Sequence, residues 1–426
     1  MASYVVFWRP EGIRNDCNKF GKPDTAGRGT ARQLLWSLSP APRSILVSAG
    51  EASGDYYAAE LVRELRRRWP DCRFFGCAGP HLREAGVEPV VRSEDLSVVG
   101  IVEVVAHLPR IWLRFRRLIS QAAHRKPELA ILTDSPDFHF RVARKLKGLS
   151  IPVVYLIAPQ VWAWRKGRVK IMRRVIDQLL CIFPFEEAFF RQHKIRVTYI
   201  GHPLASRVRP SLSRAEFFRK HNLDAGRPLI AVLPGSRRSE ALRHLPELVR
   251  AAEIMSQSRP LNFLLPASPT CGAAFFEEPL AGTPIRAIEG EAWDAMAHCD
   301  LALAASGTVT VEAALLGAPM VTFYRVTELS WKLGKWLVDV PFYSMVNLIA
   351  EKRVVPELMQ HEMTGERLAA EAECLLDNAA ERWKMKKDLE RVSALLAGTS
   401  MAGGRDPIMK AAEAVERTLR VSGVTQ

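Results

Sequence analysis

The feature that most constrains the fold is an alternation. Short, wholly apolar runs rich in β-branched residues end in small-residue loops and are followed by segments of helical period. Ile45-Leu46-Val47, Phe74-Phe75, Leu129-Ala130-Ile131-Leu132, Val153 to Ile157 and Gln178 to Ile182 form a first series. A polar stretch from Ser206 to Pro228 interrupts it. A second series then follows: Leu229 to Leu233, Asn262 to Leu265, Leu301 to Ala304 and Met320 to Phe323. Strands apolar on both faces and separated by helices indicate a parallel sheet covered on both sides. The 426 residues exceed what one hydrophobic core normally organises, so two doubly wound units in tandem are expected, with ligands at the carboxyl ends of their strands. The expected divisions are an extension over 1–43 with little structure, a first α/β domain over 44–205, a second over 206–367, and a helical segment over 368–426 that closes the fold.

Charge and cysteine usage narrow the class. Sixty Lys and Arg against 46 Asp and Glu leave a net charge of +14, which favours a polyanionic partner: nucleic acid, an anionic membrane surface or a phosphorylated substrate. The seven cysteines are scattered without a C-x-x-C pair, so a disulfide framework or zinc ribbon is not expected and a reducing compartment fits. No apolar run reaches the roughly 18–20 residues of a transmembrane helix, and residues 1–43 lack the apolar core of a signal peptide.

Four loops after apolar runs carry candidate chemistry. Ser48-Ala49-Gly50-Glu51-Ala52-Ser53-Gly54-Asp55 sits where free N–H groups favour an anion or sugar hydroxyls, and matches neither a dinucleotide fingerprint nor a P-loop. On spacing alone it is equally a turn with Ser53 or Asp55 as a helix cap. Thr133-Asp134-Ser135-Pro136-Asp137-Phe138 places a carboxylate at a strand end, where it can take a proton from an attacking hydroxyl. The plain alternative has Asp134 capping a turn and Asp137 pairing with an arginine. Gly235-Ser236-Arg237 combines close backbone approach, a hydroxyl and a guanidinium fork suited to phosphate oxygens. Ser306-Gly307-Thr308 leads a helix whose first turns contain Glu312, a carboxylate able to accept two ribose hydroxyls. Together they suggest a glycosyltransferase in which arginine and helix dipoles neutralise a leaving diphosphate; His, Cys and acidic spacings suggest no metal site.

Two basic stretches stand apart. Between Glu103 and Glu128 there is no acid, and Ile111, Trp112, Phe115, Leu118 and Ile119 recur at helical spacing after Pro109, which suits a helix start. Such a face either packs in the core or lies in an anionic bilayer interface. The second stretch, Phe138 to Ile176, has ten Lys or Arg and includes Trp162 and Trp164. Aromatics among cations can grip single-stranded nucleic acid, but no nucleic-acid module accompanies them.

The motifs in this order resemble lipid-A-disaccharide synthase, glycosyltransferase family 19. They are SAGEASGD (48–55), GIVEVV (100–105), TDSPDF (133–138), APQVWAWRKGR (158–168), FPFE (183–186), IGHP (200–203), LPGSR (233–237), ASGT (305–308) with Glu312, and PEL (356–358). The resemblance implies a GT-B scaffold of two Rossmann-like domains facing a cleft, with no cofactor and no metal. It implies inverting transfer of 2,3-diacylglucosamine from UDP to the 6-hydroxyl of 2,3-diacylglucosamine 1-phosphate (lipid X), giving lipid A disaccharide 1-phosphate. Asp134 matches the family's essential aspartate, with general base as its role. Gly50, Glu51, Ser53 and Gly54 match the sugar or diphosphate side. Gly235, Ser236, Arg237, Ser306, Gly307, Thr308 and Glu312 match the nucleotide side, and Asn347 matches an asparagine near the diphosphate. Val102, Val104, Val105, Leu108, Ile111, Trp112 and Phe115 match a membrane-facing patch. The resemblance therefore implies a cytoplasmic protein in peripheral contact with the anionic inner leaflet, one that binds no nucleic acid and admits a homodimer. The residues flanking Asn347 depart from the family pattern, and residues 1–43 match nothing in it. A UDP-sugar epimerase on the same scaffold and a basic nucleic-acid-binding protein are the alternatives.

Overall fold

The first apolar run becomes β1 (Ser44–Ala49), from which a seven-stranded parallel sheet is built. A computed structural model describes residues 41–95, 101–163, 166–328, 331, 340–398 and 406–423, with backbone alone for 101–108, 166 and 423. The expected extension over 1–43 therefore lies almost wholly outside the described residues. The sheet continues with β2 (Arg73–Ala78), β3 (Glu88–Arg92), β4 (Leu129–Thr133), β5 (Val153–Leu156), β6 (Gln178–Cys181) and β7 (Val197–Tyr199) in the order β3-β2-β1-β4-β5-β6-β7. A second parallel sheet contains β8 (Leu229–Leu233), β9 (Asn262–Ala267), β10 (Ile285–Glu289), β11 (Leu301–Ala305), β12 (Met320–Tyr324) and β13 (Glu357–Met359), ordered β10-β9-β8-β11-β12-β13. The doubly wound α/β architecture expected from the alternation is thus present twice.

The central strands are apolar because helices cover both faces. Every residue of β4, β5, β8 and β11 is buried. The described chain from Pro42 onward forms one compact unit, and a single buried cluster runs from Ile45 and Leu61 through Ile230 and Val232 of β8 to Val415.

Among the described residues, the chain passes from one half to the other at two places. After β7, residues 200–206 lead to the second half. After the helix Ala379–Leu396, the chain returns, and the helix Pro407–Gly423 packs on the helix Ala52–Arg68 and on β5 and β6. Arg68 pairs with Glu416 at 3.1 Å across that contact. The two crossings touch: the His202 N–H donates to the Leu396 carbonyl at 2.7 Å, and the Tyr199 hydroxyl donates to the Leu395 carbonyl. The helices Gly365–Asp377, Ala379–Leu396 and Pro407–Gly423 are the closing segment expected at the C-terminus.

One expectation is corrected. Pro109 does not start a helix; it lies inside the helix Ile101–Arg125. A proline there removes one backbone donor and crowds the preceding turn, which bends a long helix without having to end it. No described helix is long and apolar enough to cross a membrane.

Candidate functional site

In each sheet the strand order reverses between two neighbours, β1 and β4 in the first and β8 and β11 in the second. The crevice outside the carboxyl ends of such a strand pair is where open α/β sheets bind ligands. All four candidate loops fall there: 50–54 after β1, 134–137 after β4, 234–238 after β8 and 306–308 after β11.

In the first half, Asp134 is held at both ends. Its carboxylate accepts the Gly50 N–H at 2.8 Å and the Glu51 N–H at 3.2 Å. Its backbone carbonyl accepts the Tyr155 hydroxyl at 2.5 Å and His139 Nδ1 at 2.9 Å. His139 Nε2 lies 2.8 Å from Ser48 Oγ. Burial pushes the His139 pKa down to about 4, so the ring is neutral. A neutral ring has one N–H, and a carbonyl can only accept; Nδ1 therefore carries the proton, and Nε2 accepts from Ser48. Asp134 and Ser135 both have left-handed backbones, with φ of 53° and 35°. That conformation costs of order 1–2 kcal/mol for an ordinary L-residue, less for Asp, and the bonds at both ends of Asp134 oppose it.

Burial raises the Asp134 carboxyl to about 7, against the Gly50 and Glu51 N–H bonds, which lower it. A carboxylate near that value is suited to take a proton at neutral pH. Gly54 is required at its position, because a Cβ there would overlap Asp134 Oδ2. Glu51 and Ser53 are exposed. Asp55 does not face this site: buried, it accepts the N–H groups of Gly79 at 2.7 Å and His81 at 2.8 Å, and so caps the helix Pro80–Glu84. Asp137 pairs with Arg168, the plain alternative weighed for it.

In the second half the loops are open. Ser236, Arg237, Gly307 and Thr308 are exposed. Gly235 has φ of 121°, and the Glu240 carboxylate lies where its Cβ would be, accepting the Ser236 N–H at 3.2 Å. His244 fastens this loop, with Nδ1 2.7 Å from the Pro234 carbonyl and the Arg325 N–H donating to Nε2 at 3.0 Å. Ser306 donates through Oγ to the Tyr343 carbonyl at 2.9 Å. Glu312 is oriented by the Trp293 indole N–H at 2.9 Å, and burial raises its carboxyl. Its charge also acts on the Tyr57 hydroxyl, which burial chiefly pushes up to about 12. Tyr57 follows the 50–54 loop by one turn. Asn347 is different. Fully buried, its side chain accepts the Val354 and Val355 N–H groups and donates to the Val355 carbonyl and Glu357. It braces a turn within the second half.

The helix Ile101–Arg125 presents Trp112 and Leu113 outward, 54% and 58% exposed, with Arg116 over the Trp112 ring. Ile111 is half-buried, and Phe115 packs edge-on against Phe138. The side chains of Val102, Val104, Val105 and Leu108 lie outside the described residues. Trp162 is buried, its indole N–H on Glu186 at 3.0 Å, so it offers no face for base stacking; Trp164 lies outside the described residues. Among the described residues no cluster of His, Cys, Asp and Glu has the arrangement of a metal site.

Sequence reasoning missed Tyr155, His139, Trp293 and Tyr57. Tyr155 carried the one usable signal, a hydroxyl in an otherwise aliphatic strand.

Residues 45–403 match the family model described as lipid-A-disaccharide synthetase. A lipid-A-disaccharide synthase from Solibacter usitatus is 64% identical over 361 residues, covering 85% of this chain and 95% of the relative. One from Koribacter versatilis is 43% identical over 352 residues, covering 82% and 92%. Among solved structures, Acinetobacter baumannii MurG aligns with a TM-score of 0.54 at 14% identity, covering 88% of this chain and 99% of that one. The UDP-GlcNAc 2-epimerase from Neisseria meningitidis aligns at 0.56 and 13% identity with the same coverage. These distant likenesses show the two-domain GT-B fold, and the sequence matches show the family: the chain belongs to the lipid-A-disaccharide synthetases.

Proposed function

We propose that this chain joins UDP-2,3-diacylglucosamine to lipid X, with Asp134 as the general base. The observation that carries the reading is the Asp134 carboxylate, fixed by two N–H groups at the first sheet's switch point and raised to about 7. Asp134 takes the proton from the acceptor 6-hydroxyl as that oxygen attacks the anomeric carbon. The C–O bond to UDP breaks on the opposite face, so the configuration inverts to β. Arg237 and the exposed strand-end backbone at Arg237, Gly307 and Thr308 stabilise the charge growing on the diphosphate. Glu312, with one oxygen held by Trp293, accepts ribose hydroxyls through the other. In this division residues 44–205 bind the acceptor and residues 206–367 the UDP-sugar. Asn347, its amide bonded to Val354, Val355 and Glu357, supports a turn of the second half.

Both substrates carry acyl chains, which keeps them in the bilayer. Trp112 and Leu113, with Arg110, Arg116 and Arg117 nearby in sequence, rest on the anionic inner leaflet, and the protein is peripheral on its cytoplasmic side. The reading admits a homodimer, which light scattering of the purified protein decides. The testing experiment incubates purified protein with both lipid substrates, without added divalent cation. UDP and disaccharide released in equal amounts support the reading. Epimer formed from UDP-GlcNAc alone, without transfer, replaces it with the epimerase.

A further inference from the structure

We propose that Tyr155 and His139 are positioning residues for the transfer: together they hold the backbone carbonyl of Asp134 and through it aim the carboxylate. The inference rests on the reading of Asp134 as base. Three neighbouring strands converge on this one residue. The loop after β1 supplies the Gly50 and Glu51 N–H groups, β5 supplies the Tyr155 hydroxyl, and the helix Pro136–Gly148 that follows β4 supplies His139. Ser48, near the end of β1, fixes the His139 tautomer.

The geometry needs both clamps. A carbonyl has two lone pairs, and here both are met by buried donors. Tyr155 is fully buried in one core cluster with Leu132, Phe140 and Val153, where a phenylalanine would fill the same volume. Among the described residues its hydroxyl bonds to the Asp134 carbonyl alone. The left-handed backbone at 134 and 135 turns the carboxylate toward Gly50 and Glu51; without the carbonyl clamp the peptide relaxes and the carboxylate leaves those N–H groups.

The test compares Tyr155→Phe, His139→Ala, His139→Asn and Asp134→Asn in steady-state transfer across pH. Because a displacement of about 1 Å can cost about 10²-fold, Tyr155→Phe is expected to lower kcat about tenfold or more with KM for the UDP-sugar unchanged. The acid limb of kcat is expected to move to higher pH, since the lost N–H bonds are those that draw the Asp134 carboxyl down. His139→Asn keeps an N–H donor and is expected to recover much of what His139→Ala loses. A merely structural role would reduce the folded fraction and leave the limb in place. Should His139→Ala fail to fold, Tyr155→Phe, which preserves volume, carries the test. If Tyr155→Phe keeps both kcat and its pH limb while Asp134→Asn is inactive, the positioning role falls and the base survives. If Asp134→Asn turns over normally, the base reading falls and this inference with it.

Discussion

The two halves share a topology and differ in what stands at the switch point. In the first, a carboxylate is drawn in, clamped and nearly removed from water. In the second, the loops are open, and their exposed side chains include Arg237. Both loops are tied down alike, by a buried neutral histidine whose Nδ1–H reaches a backbone carbonyl: His139 to Asp134 and His244 to Pro234. The scaffold thus supplies a rigid strand-end turn twice, carrying a part-buried carboxylate in the first half and exposed polar side chains in the second.

The comparison predicts separable losses. Asp134→Asn is expected to lower kcat by about 10³-fold or more, as loss of a general base does, while UDP binding measured by calorimetry is retained. Gly54→Ala is expected to cost kcat about 10²-fold by displacing the carboxylate, whereas Gly235→Ala, with its φ of 121°, should raise KM for the UDP-sugar. A base must be unprotonated, so kcat should fall as pH drops through about 7, the Asp134 value, with UDP affinity flat over that interval. The smallest effect belongs to the surface: Trp112→Ser with Leu113→Ser should reduce pelleting with anionic vesicles and leave the unfolding temperature within about a degree or two, since both side chains are exposed. Equal losses of kcat and UDP affinity in the first two variants would break the division between halves.

What the sequence revealed follows burial. The central strands, wholly apolar, were legible as runs. The four strands that escaped notice, β3, β7, β10 and β13, are the four sheet edges, where one side is unpaired and polar residues such as Glu88, Arg286 and Glu357 interrupt the run. Loops at strand ends were legible because glycine, serine and acid cluster there. The clamp on Asp134 was not, since Gly50 and Tyr155 are distant from it in sequence and reach it through sheet register, while His139 reaches back to it from the helix that follows β4. Pro109 misled for a local reason, because proline is tolerated at a helix start and also inside a long helix. Asn347 resembled a ligand-binding asparagine in position, yet its amide is spent on Val354, Val355 and Glu357.

The two crossings between halves lie side by side, Gly201 and His202 against Leu396 and Ala397. Paired connections at one place behave like the pins of a door. Any swing of one half against the other would turn about the line they share, while sliding or twisting would have to break the His202–Leu396 bond.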